Sequence, residues 1–201
     1  MECYLVKHNK KRLTLKKLIL LGLFLSTCLF SQELTLEKVK EIASNASLEL
    51  NSKIKKGLKK AKRKNGTEEM GNFCIDDSIK ILEKLNKKLG SKVIVKRVSL
   101  NNRNKNSKAL ENEVAILKAF ELIQQSDAYQ PKQIVQIVDD NTYKVYSPIA
   151  MKSRDCKKCH GLEKKVDKEL KKQFSKTYKN ENGYGYKSGE IRGAVVVTVS
   201  K

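Results

Sequence analysis

Residues 191–200 read IRGAVVVTVS, and this stretch determines the kind of fold that the rest of the chain must complete. Its residues are mostly β-branched, which suits a central strand of a sheet. Three other segments have the composition of strands: residues 93–98, and residues 133–138 and 142–147 on either side of a turn at Asp139-Asp140-Asn141. The last two predict a hairpin. The sequence therefore predicts an antiparallel sheet.

Helical patterns fill most of the remaining chain. Apolar residues recur at a spacing of three or four over residues 34–64, and Asn65-Gly66 ends the pattern. A second helix is predicted from Thr67 to Gly90, a third over residues 109–125 and a weaker one over 162–172, followed by a loop over 176–189. Helices on one side of an antiparallel sheet give an α+β fold.

Cys156-Lys157-Lys158-Cys159-His160 is a CxxCH pentapeptide, the spacing of covalent haem attachment. In this interpretation Cys156 and Cys159 form thioethers to the two vinyl groups, and His160 binds the iron from the proximal side. The expected cofactor is one covalent haem c.

Two other chemistries use similar spacings. A zinc site needs a fourth ligand, usually from a second Cys or His pair, and the chain has only one other histidine, His8, in its basic N-terminal segment. A thioredoxin-like redox pair follows a strand at the start of a helix in a βαβ unit, which the pattern around Cys156 does not predict. Both are weaker interpretations than haem.

The N-terminus has the features of an export signal. A segment rich in lysine and arginine, residues 7–17, precedes the apolar run LILLGLFLSTCLF at 18–30, which is too short for a comfortable membrane span. We predict a signal peptide over residues 1–31 and a periplasmic protein, in agreement with haem attachment outside the cytoplasm. An uncleaved anchor, or a lipid anchor at Cys28, is the alternative. The predicted organisation is completed by an N-terminal helix over 32–66 and a haem domain over 67–201.

The formal net charge of the chain is +21, and basic residues concentrate between Lys53 and Lys64. Export and the absence of nucleic-acid-binding motifs argue against nucleic acid as the partner. The basic segment is either a solvated helix face or a surface for an acidic redox partner or an anionic membrane.

Four blocks together resemble a family of exported single-haem c-type proteins with a PAS-like fold, a domain of unknown function. The first is a lone cysteine on an early helix, Cys74. The second is a strand leading into Arg97-Val98-Ser99-Leu100-Asn101-Asn102-Arg103-Asn104, with Glu113 ten residues past Arg103. The third is Pro148-Ile149 before Cys156 to Gly161. The fourth comprises Tyr178, Gly185-Tyr186, Gly189 and Gly193-Ala194. The chain departs from the family pattern at Lys105 in the second block and at Lys179 in the fourth, where the family has proline.

The distal iron position is open from the residues alone. His160 is the only histidine after the leader, so the soft candidates are Cys74, Met70 and Met151, the last awkwardly close to Cys156. Cys74 alternatively reads as a small buried apolar residue. The resemblance implies Cys74 as the distal ligand, with Met70 as the alternative. Arg97, Arg103 and Tyr186 are candidate residues of the haem pocket.

Three functions follow from these expectations. Redox or diatomic-gas sensing ranks first, with the long N-terminal helix as a signal-carrying or dimerising element. One-electron transfer to a redox or signalling partner ranks next. An enzyme acting on peroxide or nitrogen oxides ranks last because no distal histidine is available as an acid or base.

Overall fold

The central feature is an antiparallel sheet of four strands, in a computed structural model that describes residues 34–126, 129–179 and 182–201. The strands are β1 (Val93–Val98), β2 (Ile134–Asp139), β3 (Thr142–Ala150) and β4 (Ile191–Ser200). Their order is β1-β4-β3-β2, so β4 lies inside the sheet as its composition predicts. The predicted leader, residues 1–31, lies outside the described residues.

Two helical segments run back along each other at the start of the described chain. Helix α1 (Leu36–Asn72) contains two non-helical residues, Asn65 and Gly66, and the positive φ of Gly66 (54°) suits glycine. A π-helix (Phe73–Asp77) and α2 (Ser78–Leu89) follow. The ring of Phe73 packs against Gly57, so the chain reverses at the predicted Asn65-Gly66 break.

Helices cover both faces of the sheet, whereas the sequence predicted them on one side. On one face, α1 and α2 bury a core that includes Leu50, Leu85 and Val197. On the other, α3 (Glu111–Gln125) packs Phe120 against Tyr146 and Val196 of β3 and β4. The prediction was wrong because β4 is apolar at consecutive positions, and a strand of that kind needs a cover on each face. The α+β class itself is confirmed.

The CxxCH motif forms a short helix, α4 (Arg154–His160), which is followed by α5 (Lys168–Thr177). The weak helix predicted over 162–172 is therefore displaced toward the C-terminus. The cause is Asp167, whose side chain caps α5 by accepting from the N–H groups of Glu169 and Leu170. None of the helices in the described part of the chain combines the length and apolar character that a membrane crossing needs.

Glu113 is fully buried and connects α3 to the sheet. Its carboxylate lies 2.6 Å from Lys96 Nζ on β1 and 3.9 Å from Lys144 Nζ on β3, and it accepts a hydrogen bond from the N–H of Leu110 at the start of α3. Burial and the Glu113 charge raise the pKa of Tyr146 to about 12. Glu113 thus holds two strands and one helix together by charge.

Replacing Glu113 by glutamine is expected to lower the free energy of unfolding by about 2 kcal/mol, because Lys96 and Lys144 lose their counter-charge while remaining partly withdrawn from water. Chemical denaturation of the purified variant measures this loss. Glu111→Gln is the matched control, since Glu111 is exposed on the same turn of α3. Equal stability of the two variants would contradict a structural role for the Glu113 charge.

Candidate functional site

The two CxxCH cysteines differ in exposure because of how α4 sits against the rest of the chain. Ser153 caps α4, since its Oγ accepts from the N–H of Cys156, and Lys62 of α1 pairs with Asp155 at 2.7 Å. Cys156 is half-buried, and its Sγ lies 3.1 Å from Ser153 Oγ. Cys159 is 3% exposed on the inner side of the helix. Both thiols are free of disulfide bonds.

The ring of His160 is held in one tautomer by a backbone carbonyl. Its Nδ1 lies 2.8 Å from the carbonyl oxygen of Gly183, which can only accept, so Nδ1 carries the proton. Nε2 then presents a lone pair. Burial, with the charges of Arg192 and Arg103, keeps the pKa of His160 well below its usual value, so the ring is neutral. A neutral imidazole with its second nitrogen anchored in this way is a prepared metal ligand.

A return segment of the C-terminal loop lies against the CxxCH motif. The N–H groups of Gly185 and Tyr186 donate to the carbonyl oxygens of Gly161 and His160, at 2.9 and 3.1 Å. The positive φ of Gly185 (96°) makes this approach easy for glycine. The hydroxyl of Tyr186 is 3.2 Å from the carbonyl oxygen of Arg192 and 3.3 Å from Ser99 Oγ. Tyr186 therefore fixes the loop to the sheet beside the motif.

Arg103 connects the same loop to the second cysteine. It is 7% exposed, and its Nη2 donates to the carbonyl oxygen of Cys159 at 2.7 Å and to that of Gly183 at 3.4 Å. Its guanidinium stacks on the ring of Phe174, 3.8 Å from the ring centroid. Arg103 thus binds the carbonyl group that orients His160.

Met70 and Cys74 share an apolar cluster with Cys159. Met70 is fully buried among Cys159, Leu170 and Phe174, and Cys74 packs against this group. Cys74 lies within the π-helix, a rare geometry that occurs frequently at functional sites. Met151 is buried outside this cluster, with its backbone paired to Gly189 and Glu190.

The thiols of Cys74 and Cys159 are withdrawn from water but face cations. Burial raises the pKa of Cys159 to about 12. Burial also raises the pKa of Cys74, while Arg97, Arg103 and Arg192 act in the opposite direction and favour its thiolate. The protein alone therefore keeps Cys74 protonated, and three guanidinium groups lie close enough to stabilise its ionised form.

Arg192 is the site residue that the sequence interpretation missed. Strict alternation along β4 puts it on the face of Ala194 and Val196, under α3. In the β3–β4 pairing, however, Ile149 lies opposite Gly193 and Ala150 lies opposite Ile191, so Arg192 is the extra residue of a β-bulge. A bulge redirects a side chain from its alternating face. The signal was Gly193, since an isolated glycine in a strand often marks a bulge or a close backbone approach.

Gly193 lies next to the β-bulge and also at a close backbone approach. A Cβ atom at this position would lie 2.1 Å from the carbonyl oxygen of Val98 on β1, so no other residue fits without moving the strand. Arg97 lies on β1 and Arg192 lies on β4, and these two strands are paired neighbours in the sheet. The structure thereby gathers Cys74, Cys156, Cys159, His160 and three arginines, while no group of three or more His, Cys, Asp or Glu among the described residues is arranged to hold a bare metal ion.

Comparisons with known proteins identify similar chains. The sequence model of the family described as Tll0287-like (Tll0287) matches residues 30–200. Among solved structures, the chain is similar to the crystal structure of the cyanobacterial heme-protein Tll0287, with 20% sequence identity and a TM-score of 0.47 over 61% of this chain and 71% of that chain. No curated protein matches the sequence.

Proposed function

Since the chain belongs to the Tll0287-like family, we propose that it is an exported protein that holds one haem c through thioethers at Cys156 and Cys159. The family is described by the name of Tll0287, a cyanobacterial heme-protein. The predicted leader and the extracytoplasmic attachment of haem c support a periplasmic location. When bound, haem supplies an iron centre that exchanges one electron or takes a diatomic ligand.

The geometry of His160 carries this proposal. The Nδ1–H bond to the Gly183 carbonyl leaves Nε2 available, and the neutral ring needs no deprotonation before it binds iron. Two free thiols lie one and four residues before it, on the same short helix. This donor set fits a covalently attached haem with His160 as the proximal ligand.

For the distal position we propose Cys74, with Met70 as the alternative ligand. Cys74 packs against the cluster that contains Cys159, and three guanidinium groups favour its thiolate. Arg97, Arg103 and Tyr186 complete the proposed pocket. A thiolate ligand stabilises ferric iron and lowers the reduction potential. We propose no catalytic activity, because the only histidine after the leader is committed to the proximal side.

Sensing of redox state or of a diatomic gas is the function that we place first. Cys74 belongs to the π-helix between α1 and α2, so its release from iron would act directly on the junction of the two helices. A π-helical turn has i→i+5 hydrogen bonds in place of the i→i+4 bonds of an α-helix, so a shift of one residue in the hydrogen-bond register would convert one into the other. A signalling partner would read that change, either a separate protein or a second copy of this chain bound through the N-terminal helix.

Electron transfer is the second candidate, and the basic part of α1 favours it. Lys55, Lys59 and Lys62 are exposed and follow one another at spacings of four and three, which puts them on one helix face. Lys62 bonds to Asp155, next to Cys156, so this face continues onto the CxxCH helix. An acidic redox partner, or an anionic membrane surface, would be attracted to the side of the protein that carries the haem.

Spectroelectrochemistry of the protein produced in a bacterium that matures c-type cytochromes tests the proposal. Mass spectrometry should give the mass of the chain without its leader plus one haem. The absorption spectrum should change type on reduction, as Cys74 leaves the iron. A reversible potential with no change of ligand would select the electron carrier over the sensor. A purified chain without haem would contradict both the sensor and the electron-carrier proposals.

A further inference from the structure

We propose that strand β2 pairs edge to edge with β2 of a second copy of this chain, in antiparallel orientation, to form a dimer with one continuous eight-stranded sheet. The strand order β1-β4-β3-β2 makes β2 an edge strand, and its neighbour in the sheet is β3. An edge strand presents a row of backbone N–H and C=O groups that another strand can bind. The proposal goes beyond the haem function and does not depend on it.

The two edges of the sheet are protected differently. On β1, the side chain of Asn86 from α2 donates to the carbonyl oxygen of Val95 at 2.8 Å and accepts from the N–H of Val95 at 2.7 Å, as a neighbouring strand would. On β2, no residue outside β3 bonds to the backbone of residues 134–138 in the parts of the chain that the structure describes. One edge is therefore closed by a side chain, and the other is open.

The open edge is also apolar. Ile137 is 68% exposed and Val138 is 47% exposed, although isoleucine and valine are among the residues most often buried. Side chains two residues apart share a face of a strand, so Ile137 lies on the face of Val135, which packs against the core beneath α1 and α2. An open edge with this composition favours aggregation unless it is covered.

The sequence of this edge is complementary to itself. Residues 132–140 read KQIVQIVDD, and an antiparallel pairing centred on Gln136 puts apolar residues opposite apolar residues on both sides of the centre. Val135 of each copy then lies opposite Ile137 of the other copy and covers it. A register displaced by one residue in either direction would instead place the Gln136 amide opposite Val135 or Ile137. This pattern selects a second copy of the chain as the partner.

Charges at the two ends of the strand support the same register. Lys132 precedes β2 and Asp140 follows it, and both are exposed, so the antiparallel pairing brings lysine to aspartate at each end of the contact. The register of β2 against β3 shifts between Ile137 and Asp139, and this bulge limits regular pairing with a second copy to a few residues. Such a contact buries less than a standard interface of about 1,600 Å², so we expect a weak dimer that depends on protein concentration.

A two-fold contact of this kind limits assembly to two copies. It uses the same edge of both chains, so the interface is closed once two copies have met. The combined sheet ends on β1 at each side, where Asn86 already occupies the N–H and C=O groups of Val95. Growth into a longer sheet is therefore blocked at both ends.

Sedimentation velocity of the purified protein over a range of concentrations tests the proposal. The wild type should change from monomer to dimer as the concentration rises. Ile137→Lys puts a lysine beside Val135 of the other copy at two symmetric positions and should weaken the dimer about tenfold or more, with little cost to the fold because residue 137 is exposed. Ile94→Lys is the matched control: Ile94 is 51% exposed on β1, the closed edge, and this variant should dimerise like the wild type.

Exchange of the end charges tests the register. Lys132→Glu and Asp140→Lys should each weaken the dimer about fivefold, and the double variant should recover the wild-type affinity because opposite charges meet again. A wild type that stays monomeric at every concentration would overturn the proposal. So would a dimer that Ile137→Lys leaves unchanged, since its contact would lie elsewhere, for example on the N-terminal helix. A double charge variant that dimerises no better than the single ones would overturn the antiparallel register.

Discussion

Replacing Cys156 and Cys159 together by serine is expected to abolish covalent haem attachment completely. A serine hydroxyl is a far weaker nucleophile than a thiol and does not add to a vinyl group, so no covalent link remains. Haem staining of a denaturing gel should fall from full intensity to background, and acidified organic solvent should extract any pigment that is left. Helix α4 should persist in the double variant. Its cap is a bond from the backbone N–H of Cys156 to Ser153 Oγ, and its ion pair joins Lys62 to Asp155, so neither contact needs a thiol.

The single variants provide the internal controls for this result. Each retains one thioether, so both should still stain. Cys159→Ser should be less stable than Cys156→Ser by about 1–3 kcal/mol, because it buries a hydroxyl beside Met70 and Leu170, whereas position 156 is half-buried. Full staining of the double variant would contradict attachment at this motif.

The sequence predicted those elements whose signals are local. The β-branched run of β4 lies inside the sheet, and Asn65-Gly66 breaks the first helix, because strand composition and turn chemistry act within a few residues. The match to the Tll0287-like family confirms the resemblance drawn from the four blocks. These features needed no knowledge of which distant segments meet.

Other features depend on contacts that no local pattern contains. The bulge that redirects Arg192 arises from the pairing of β4 with β3, and only Gly193 hinted at it. Apolar periodicity predicted one continuous helix through Cys74, and it cannot distinguish a π-helical turn from an α-helical one. Strict alternation along β4 would place Arg192 under α3, and the bulge that changes this cannot be inferred until the partner strand is known.

The resemblance and the structure contribute different parts of the site. The blocks supplied Arg97 and Arg103 as pocket residues, but not that Arg103 donates to the Cys159 carbonyl while the Nε atom of Arg97 is buried without a hydrogen-bond partner among the described residues. Nor did the sequence indicate the Gly183 carbonyl that fixes the tautomer of His160, because a backbone acceptor has no residue signature.

Cys74→Ala is expected to convert the ferric protein from low spin to high spin. Loss of a thiolate leaves the distal position vacant or bound to water, a weak-field ligand, and the midpoint potential should rise because sulfur no longer donates electron density to the iron. Low-temperature electron paramagnetic resonance measures the spin state, and a compact low-spin signal should collapse in the variant. The fold should tolerate the change, since alanine favours the helix and Cys74 lies at the margin of its apolar cluster.

Met70→Leu decides between the two candidate ligands. Met70 is fully buried, and leucine preserves its volume, so the variant should fold with a stability loss below about 1.5 kcal/mol. If Cys74 is the ligand, Met70→Leu keeps the low-spin signal and Cys74→Ala loses it; if Met70 is the ligand, the two results exchange. An unchanged spectrum in both variants would remove the thiolate and the thioether from the iron, and with them the basis for a switch in which release of Cys74 acts on the π-helix.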